Sequence, residues 1–214
     1  TASGFPLICL IRTHVNVMFS IMTLASPWAS PLAVLRRRSL LSLAIALIFA
    51  LSSFFGGEAL AIGGTLPPLN EPAPTFSLPT HTGDGEIALE DYRSQWVVLY
   101  FYPADFTPGC TIEARRFQQD LPKYIAHNAQ VIGVSADDLQ SHEEFCDSEG
   151  LRFPLLADTT GEVSQAYGSW VYSRSVRHSF IIDPEGIVRD RFVKVSPSIH
   201  SAEVLEHLEA LQNV

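Results

Sequence analysis

The apolar residues of the chain follow strand-like and helix-like spacings in turn. The near-continuous apolar run over 95–102 predicts a buried central strand, and a second run predicts another over 130–135. Between them, apolar residues near a 3.6-residue spacing predict a helix over 111–127, which Pro122 should kink or split. A further helix is predicted over 137–150, because Asp is a favoured N-cap and Gly a favoured C-terminal stop.

The rest of the pattern completes an α/β fold. Shorter segments are predicted as a hairpin over 75–78 and 86–89, a helix over 161–167, two strands over 179–183 and 187–195, and a closing helix over 201–211. Residues 62–74 are rich in Gly and Pro and are expected to form an extended lead-in. The order of strands and helices predicts a single α/β sandwich domain over 62–214.

The most distinctive feature of the sequence follows the first buried strand. Pro103 ends the apolar run, and Thr107-Pro108 is typical of a helix start, since Thr is a good N-cap and Pro fits the first helical position. Cys110 then lies in the first turn, where free backbone N–H groups and the helix dipole favour an anion. Because the thiolate is the reactive form of cysteine, this context indicates a nucleophilic sulfur.

The number and spacing of the cysteines restrict the chemistry. The chain has three; Cys110 and Cys146 fall within 62–214, and Cys9 precedes that region and is assigned no role. Two cysteines are too few for a structural disulfide framework. The sequence contains no Cys-x-x-Cys pair and no zinc-type His/Cys spacing, so we expect no metal and no other cofactor. From the residues alone, Cys146 is equally well explained as a small buried apolar side chain.

The N-terminal part has the pattern of an export signal. Three consecutive arginines, Arg36 to Arg38, precede an uncharged stretch over 39–57, and Ala59-Leu60-Ala61 is a small-x-small cleavage site. We therefore expect residues 1–61 to be an N-terminal extension with a signal peptide, cleaved after Ala61, and the protein to be exported to a periplasm or a thylakoid lumen. The apolar stretch is also close to the roughly 20 residues that span a bilayer, so an uncleaved membrane anchor is the alternative.

Charge is distributed unevenly along the chain. The formal net charge is −9, yet only one of the 23 acidic residues, Glu58, lies within residues 1–61, together with four of the 14 Lys and Arg residues. The remainder, over 62–214, is therefore strongly acidic. Such a surface argues against nucleic acid or an anionic membrane as a partner.

Several ordered blocks give the chain a family resemblance. The spacing of Pro103, Thr107 and Cys110 resembles the active-site motif of peroxiredoxins, and the run over 102–111 resembles the peroxiredoxin Q branch, also called bacterioferritin comigratory protein. Further matching blocks are Leu89 and Tyr92, Ser141 and Phe145, residues 153–158, and the stretch from Arg177 to Gly186. The resemblance extends over about residues 72–211. It implies a thioredoxin-like fold, with a central mixed sheet flanked by helices, and the activity of a thiol-dependent peroxidase.

The resemblance assigns roles to individual residues. Cys110 would be the peroxidatic cysteine, whose thiolate attacks a peroxide oxygen and becomes a sulfenic acid. Arg177 would favour the ionised sulfur and hydrogen-bond the peroxide, Thr107 would orient the peroxide as well as cap the helix, and Pro103 would shield the thiolate. The implied substrates are hydrogen peroxide and small organic hydroperoxides. From the residues alone, three nearby arginines have an equal claim to the role of Arg177: Arg174, Arg189 and Arg191.

The resemblance also implies how the sulfenic acid is resolved. Many relatives carry a second cysteine five residues after the first, where this chain has Arg115, whereas another subtype carries it in the following helix, where Cys146 is predicted. The implied product is an intramolecular Cys110–Cys146 disulfide that a thioredoxin-like protein reduces. A disulfide needs Cα atoms within about 7 Å, and two cysteines on separate packed helices usually lie further apart. We therefore expect the helices around both cysteines to unwind locally on oxidation. Members of this branch are often monomeric, and we expect a monomer.

Two other functions stay open at the level of the sequence. A one-cysteine peroxidase would leave Cys146 as a passive core residue and use an external thiol, and a redox sensor would transfer the oxidation to a target protein.

Thiolate chemistry needs no general base, so His142 and His178 are predicted to be exposed polar residues. Trp170 and Tyr172 are predicted to serve packing rather than the rim of the site.

Overall fold

The structure is a computed structural model that describes residues 60–82 and 85–213. The basic and uncharged segments of the predicted export signal, and Cys9, lie outside the described residues; of the predicted extension, only Leu60 and Ala61 lie within them. In the described part of the chain, no helix is both long and apolar enough to cross a membrane. Cleavage after Ala61 and the alternative of a membrane anchor therefore stay predictions.

The described residues form short and long strands that alternate with four α-helices. In chain order the strands are β1 (Leu60–Ala61), β2 (Gly64–Thr65), β3 (Ser77–Pro79), β4 (Glu86–Ala88), β5 (Trp96–Phe101), β6 (Ala129–Ser135), β7 (Leu155–Ala157), β8 (Trp170–Val171), β9 (Arg174–Ser175), β10 (Ser179–Ile182) and β11 (Val188–Phe192). The helices are α1 (Pro108–Ala126), α2 (Leu139–Glu149), α3 (Glu162–Ala166) and α4 (His200–Gln212), and a 3₁₀ helix covers Leu89–Tyr92.

Five strands form the central sheet, in the order β11-β10-β5-β6-β7. Strands β5, β6 and β7 are parallel, since a helix connects each successive pair, whereas β10 pairs antiparallel with both β5 and β11. Val98 of β5 is opposite Val131 of β6 on one side and Ile181 of β10 on the other. The sheet is therefore mixed, and β5 is its central strand, as its apolar run predicted.

Both faces of the sheet are covered, which explains why β5 lacks the alternation of a half-exposed strand. Val98 and Tyr100 face one apolar core, which also contains residues of α1, α2 and α4. The intervening residues of β5 face a second core on the other side of the sheet. Cys110 and Cys146 both belong to the first core, so the topology brings the two cysteines of the domain to the same side of the sheet.

The lead-in over 62–74 packs against the domain. Strands β1 and β2 form a two-stranded antiparallel hairpin, and the predicted cleavage after Ala61 falls between them. The backbone of Gly63 pairs with Ser169, and a Cβ on Gly63 would lie 2.3 Å from the carbonyl oxygen of Gly168. Only glycine allows so close an approach of two backbone segments.

Helix α1 differs from its prediction at the start and in the middle. It begins at Pro108, three residues before the predicted start, and continues without a break through Pro122. A proline removes one hydrogen bond from a helix, but Leu121 and Tyr124 on either side of it are buried in the core. The predicted split was wrong because this burial holds the last turns of the helix in place, while the alternative of a kink at Pro122 stays a prediction.

The other elements agree with their predicted positions where the sequence contains a clear cap or stop residue. The N-cap of α2 is Asp138, whose carboxylate accepts the backbone N–H of Ser141 at 2.9 Å, and Gly150 ends the helix with a φ of 64°. The strands β7, β8 and β9 were not predicted, because two or three residues are too few to show an alternation. The predicted strand over 187–195 is shorter and ends at Phe192.

Candidate active site

Cys110 is the third residue of α1, and its side chain is only 1 % exposed. The helix follows β5 after a short loop, so the sulfur lies at the C-terminal end of the central strand. The unpaired backbone N–H groups and the positive end of the helix dipole lie beside it. A negative charge on this sulfur is therefore stabilised by the backbone itself.

Thr107 occupies the N-cap position of α1, but its side chain makes no capping hydrogen bond. Its Oγ1 lies 2.7 Å from the Sγ of Cys110 and 3.0 Å from the carbonyl oxygen of Ala104. The predicted capping bond was wrong because the hydroxyl points to these two acceptors and away from the first-turn amides. The hydroxyl is thus a donor in direct contact with the sulfur.

Strand pairing brings Arg177 to the sulfur. Ser179 of β10 is opposite Tyr100 of β5, so the residue two positions before Ser179 lies beside the end of β5 and the loop into α1. The guanidinium Nη2 of Arg177 donates to the Sγ of Cys110 at 3.1 Å. The sulfur therefore has one hydroxyl donor and one cationic donor.

The other three arginines that the sequence left open make different contacts. Arg189 pairs with Asp183, and Arg191 donates to the carbonyl oxygen of Pro67. Arg174 is exposed in β9. Among these candidates, only Arg177 hydrogen-bonds the sulfur of Cys110.

Gly109, in the first turn of α1, leaves room for the guanidinium of Arg177 beside the sulfur. A Cβ on Gly109 would lie 2.8 Å from Nη2 of Arg177, so a side chain there would displace the guanidinium from Cys110. Pro103 follows Tyr102 at the end of β5 and is half-buried. The requirement for glycine next to the cysteine was not recognised in the sequence, because Arg177, for which Gly109 leaves room, belongs to a distant segment of the chain.

Glu113 is a member of the site that sequence reasoning missed. Its carboxylate accepts a hydrogen bond from Nη1 of Arg177, and its side chain is buried. The second oxygen, Oε1, is buried and has no hydrogen-bond partner among the described residues. Burial raises the pKa of Glu113 to about 7, although the neighbouring Arg177 acts in the opposite direction. The available signal was its position three residues after Cys110, on the same face of α1.

Cys146 lies on α2, is 5 % exposed, and is a free thiol, as is Cys110. Burial raises the pKa of Cys146 to about 12, and the charges of Asp105 and Asp147 add to the effect. Burial first, and then the charges of Glu113, Cys146 and Cys110, raise the pKa of Tyr100 well above its ordinary value. The two cysteines belong to the same apolar core and are not bonded to each other.

His142 was predicted to be exposed, and this prediction was wrong. Its side chain is fully buried, and its Nδ1 lies 2.8 Å from Oδ2 of Asp105, a residue of the loop between β5 and α1. The same carboxylate accepts hydrogen bonds from the hydroxyls of Tyr102, at 2.7 Å, and Ser141, at 2.8 Å. The histidine is buried because the loop supplies a carboxylate partner for it, a contact that sequence spacing does not reveal.

His178 was also predicted to be exposed and is buried, at 3 % exposure. Burial lowers its pKa, and a hydrogen bond with the backbone of Gly168 opposes that shift.

Trp170 packs against Gly161, where a Cβ would lie 2.4 Å from the Trp170 ring, whereas Tyr172 is 98 % exposed. Within residues 60–82 and 85–213, no cluster of three or more His, Cys, Asp or Glu side chains could hold a metal ion.

Comparison with known proteins places the site within a family. Residues 69–191 match the AhpC/TSA family, and this range includes Cys110, Cys146 and Arg177. The peroxiredoxin Bcp of Xanthomonas campestris pv. campestris is 36 % identical over 151 residues, which cover 66 % of this chain and 94 % of that protein.

Solved structures agree with the sequence relatives. A peroxiredoxin Q mutant from Xylella fastidiosa superposes with a TM-score of 0.62 at 31 % identity, over 68 % of this chain and 99 % of that one. The bacterioferritin comigratory protein of Xanthomonas campestris, whose structure was described for its alkyl peroxide reduction activity, gives a TM-score of 0.59 at 33 % identity, over 64 % of this chain and 91 % of that one. The central mixed sheet flanked by helices is therefore the fold of the peroxiredoxins, as the sequence resemblance implied.

Proposed function

Because the chain belongs to the AhpC/TSA family and is a peroxiredoxin, a peroxidase that uses a thiol, we propose that Cys110 is the sulfur that reduces the peroxide. The observation that carries this proposal is the set of donors around Cys110. Arg177 and Thr107 both contact its Sγ, at 3.1 Å and 2.7 Å, at the start of a long helix. Among residues 60–82 and 85–213, no comparable donors contact Cys146, and the charges of the acidic residues Asp105 and Asp147 act to raise its pKa.

The first step forms a sulfenic acid. The Cys110 thiolate attacks one peroxide oxygen, the S–O bond forms, and the O–O bond breaks. The second oxygen leaves with the bonding electrons and takes up one proton, which gives water from hydrogen peroxide or an alcohol from an organic hydroperoxide. The guanidinium of Arg177 stabilises the negative charge as it moves from sulfur to the leaving oxygen, and the hydroxyl of Thr107 donates to the attacked group. Pro103 limits access of water to the sulfur.

The substrates we propose are hydrogen peroxide and small organic hydroperoxides. The relative from Xanthomonas campestris that was described for alkyl peroxide reduction supports the second class. The burial of Cys110 also supports small substrates, because a sulfur that is 1 % exposed admits a bulky molecule poorly.

The second step, in our proposal, forms an intramolecular disulfide. The sulfur of Cys146 attacks Cys110–SOH, the S–S bond forms, the S–O bond breaks, and water leaves. The shared apolar core of the two cysteines supports this pairing. A thioredoxin-like protein then reduces the disulfide by thiol–disulfide exchange and returns both cysteines to the thiol state.

Intact-mass measurement under non-reducing conditions tests both steps. One equivalent of hydrogen peroxide should lower the mass by about 2 Da, and the Cys146→Ser variant should instead gain about 16 Da, the mass of one oxygen on Cys110. The Cys110→Ser variant should not change. Cys9→Ser serves as the matched control and should behave as the parent protein.

The mass measurement, together with a turnover assay that contains a thioredoxin system, distinguishes the proposed function from the two others. A gain of about 16 Da without any disulfide in the parent protein would indicate a one-cysteine peroxidase with an external reductant. A protein that reacts once but does not turn over with a thioredoxin system would be a sensor. An unchanged mass after peroxide would overturn the assignment of Cys110.

A further inference from the structure

We propose that His142 accepts the proton of Cys146 when Cys146 attacks the oxidised Cys110, with Asp105 holding the imidazole in the required tautomer. The inference rests on the Cys110–Cys146 disulfide proposed above. It gives a role to a buried Asp–His pair that the peroxide-reducing step does not use.

The contacts of Asp105 set the tautomer of His142. The carboxylate accepts hydrogen bonds from Tyr102, Ser141 and Nδ1 of His142. Because a carboxylate accepts, Nδ1 carries the imidazole proton and Nε2 keeps a free lone pair. Nε2 is buried and has no hydrogen-bond partner among the described residues, so this lone pair is available inside the protein.

His142 and Cys146 occupy successive turns of α2. The two residues are four positions apart, a spacing that places them on the same face of a helix. Both are buried, and the charge of Asp105 contributes to the raised pKa of Cys146. The carboxylate that orients the imidazole therefore lies within Coulombic range of the thiol.

The chemistry of Cys146 requires a proton acceptor. Only a thiolate attacks a sulfenic sulfur efficiently, and burial keeps Cys146 in its thiol form at neutral pH, with a pKa of about 12. Asp105 and Tyr102, from the end of β5 and its loop, lie 2.8 Å and 3.5 Å from Nδ1 of His142, and Cys146 follows one turn later on α2. Tyr102 is a donor with a strongly raised pKa, and Asp105 already accepts three hydrogen bonds. The lone pair on Nε2 of His142 is the free base in this group.

The step balances without any further reagent. The proton of Cys146 passes to Nε2 of His142, the S–S bond forms, and the S–O bond of Cys110–SOH breaks. The hydroxide that leaves takes the proton from the imidazolium and becomes water. The imidazole returns to its neutral form, and the sulfenic acid of Cys110 has been converted into the Cys110–Cys146 disulfide.

The packing of α2 explains how the histidine stays in place while the cysteine moves. The first turn of α2 is held by the Asp138 cap and by the bonds of Ser141 and His142 to Asp105. The last turn is held on α1 by an exposed ion pair between Arg115 and Glu149, and an exposed ion pair contributes little to stability. We therefore expect the turn with Cys146 to open before the first turn, with His142 still hydrogen-bonded to the loop that leads to Cys110.

The test separates the two steps in a single turnover of the full chain. Samples quenched after mixing with hydrogen peroxide are analysed by mass for sulfenic acid, trapped with dimedone, and for the disulfide. The principal variant is His142→Asn, whose amide can still donate to Asp105 but offers no atom at the position of Nε2. Formation of sulfenic acid should keep its rate, and disulfide formation near neutral pH should slow by about 100-fold.

The pH profile distinguishes a proton acceptor from a structural role. In His142→Asn the rate of disulfide formation should rise about tenfold per pH unit above neutral, since hydroxide replaces the missing base. The Asp105→Asn variant should also slow the disulfide step, because it removes the carboxylate that fixes the tautomer. His207→Asn is the matched control, since His207 pairs with Asp190 at the surface, and it should leave both steps unchanged.

The experiment distinguishes a failure of the proposed role of His142 from a failure of the proposed resolving role of Cys146. If His142→Asn forms the disulfide at the parental rate, or slows it by a factor that does not depend on pH, the role of His142 is overturned while the proposed function stands. If the parent protein itself accumulates sulfenic acid and never forms the disulfide, the resolving role of Cys146 falls, and the role of His142 falls with it.

Discussion

Glu113 and Arg177 form a part-buried ion pair, and the same guanidinium contacts the sulfur of Cys110. One guanidinium nitrogen of Arg177 donates to the carboxylate, and another donates to the sulfur at 3.1 Å. The carboxylate thus fixes the direction of the guanidinium and at the same time offsets part of its charge. Since burial raises the pKa of Glu113 to about 7, the charge of this pair changes within the physiological range of pH.

The raised pKa of Glu113 predicts a pH dependence of stability. The folded protein holds this proton more tightly than the unfolded chain between pH 4.5, the ordinary pKa, and about 7. The free energy of unfolding should therefore fall as pH rises through that window, by roughly 3 kcal/mol at about 1.36 kcal/mol per pKa unit. Urea unfolding of the parent protein and of Glu113→Gln, at several pH values from 4.5 to 8, measures the difference.

Glu113→Gln should lack this component, because glutamine does not titrate. Glu144 is an exposed glutamate on α2, so Glu144→Gln is the matched control and should keep the pH dependence of the parent protein. Equal curves for the parent protein and Glu113→Gln would contradict the prediction.

Thr107 offers a second prediction, on the rate of the first step. Thr107→Val keeps the shape of the side chain but removes the hydroxyl that lies 2.7 Å from the sulfur. The second-order rate constant with hydrogen peroxide should fall by about 100-fold, the usual cost of losing one donor to developing charge. Stopped-flow measurement of peroxide consumption gives this constant directly.

Thr107→Ser retains the hydroxyl and should remain within about tenfold of the parent protein. Helix stability should change little in Thr107→Val, because the hydroxyl makes no capping bond in the structure. A large loss of thermal stability with an unchanged rate constant would show that the hydroxyl acts as a cap after all.

The sequence predicted the part of the site that depends on neighbouring positions in the chain. The central strand, the helix start at Thr107-Pro108 and the place of Cys110 in the first turn all follow from local spacing. Arg177 was found only through the family resemblance, since four arginines had an equal claim. The pairing of Ser179 with Tyr100 is what selects Arg177, and a strand register is not visible in one sequence.

The contacts missed in the sequence are those between distant segments. Asp105 and His142 are 37 positions apart, and each looks like an ordinary surface residue until the loop and α2 are packed together. The same holds for Glu113, whose partner Arg177 is 64 positions away. Both cases bury a carboxyl group beside a basic side chain that hydrogen-bonds it, so burial predicted from residue type alone is wrong at these positions.

The predicted cleavage site gives a third test. Processing after Ala61 would leave Ile62, which is 86 % exposed, as the new N-terminus and would remove β1 from its pairing with β2. We expect N-terminal sequencing of the protein from a host with an export pathway to begin at Ile62. The Ala61→Lys variant, which replaces the small residue before the cut, should keep the extension.

The extension would also stay on the parent protein if it were a membrane anchor. In that case the protein should remain in the membrane fraction after a wash with high salt. Such a result would contradict cleavage and favour the alternative that the length of the uncharged stretch allows.

Hydrogen exchange tests the expected opening of the two helices. Cys110 and Cys146 are free and buried on separate helices, each within a regular turn. Formation of their disulfide should remove protection from the backbone amides around Cys110 in α1 and from the second half of α2, while the central sheet keeps its protection. Mass-detected exchange of the reduced and oxidised protein, followed by peptide, measures this change.

Cys146→Ser treated with peroxide is the control, because it can oxidise at Cys110 but cannot form the disulfide. Its exchange should match that of the reduced parent protein. The first turn of α2 should stay protected in the oxidised parent protein, since Ser141 and His142 remain bonded to Asp105. Equal protection of α1 and α2 in both redox states would mean that the disulfide forms without unwinding, and loss of protection throughout α2 would mean that the Asp105 contacts do not anchor it.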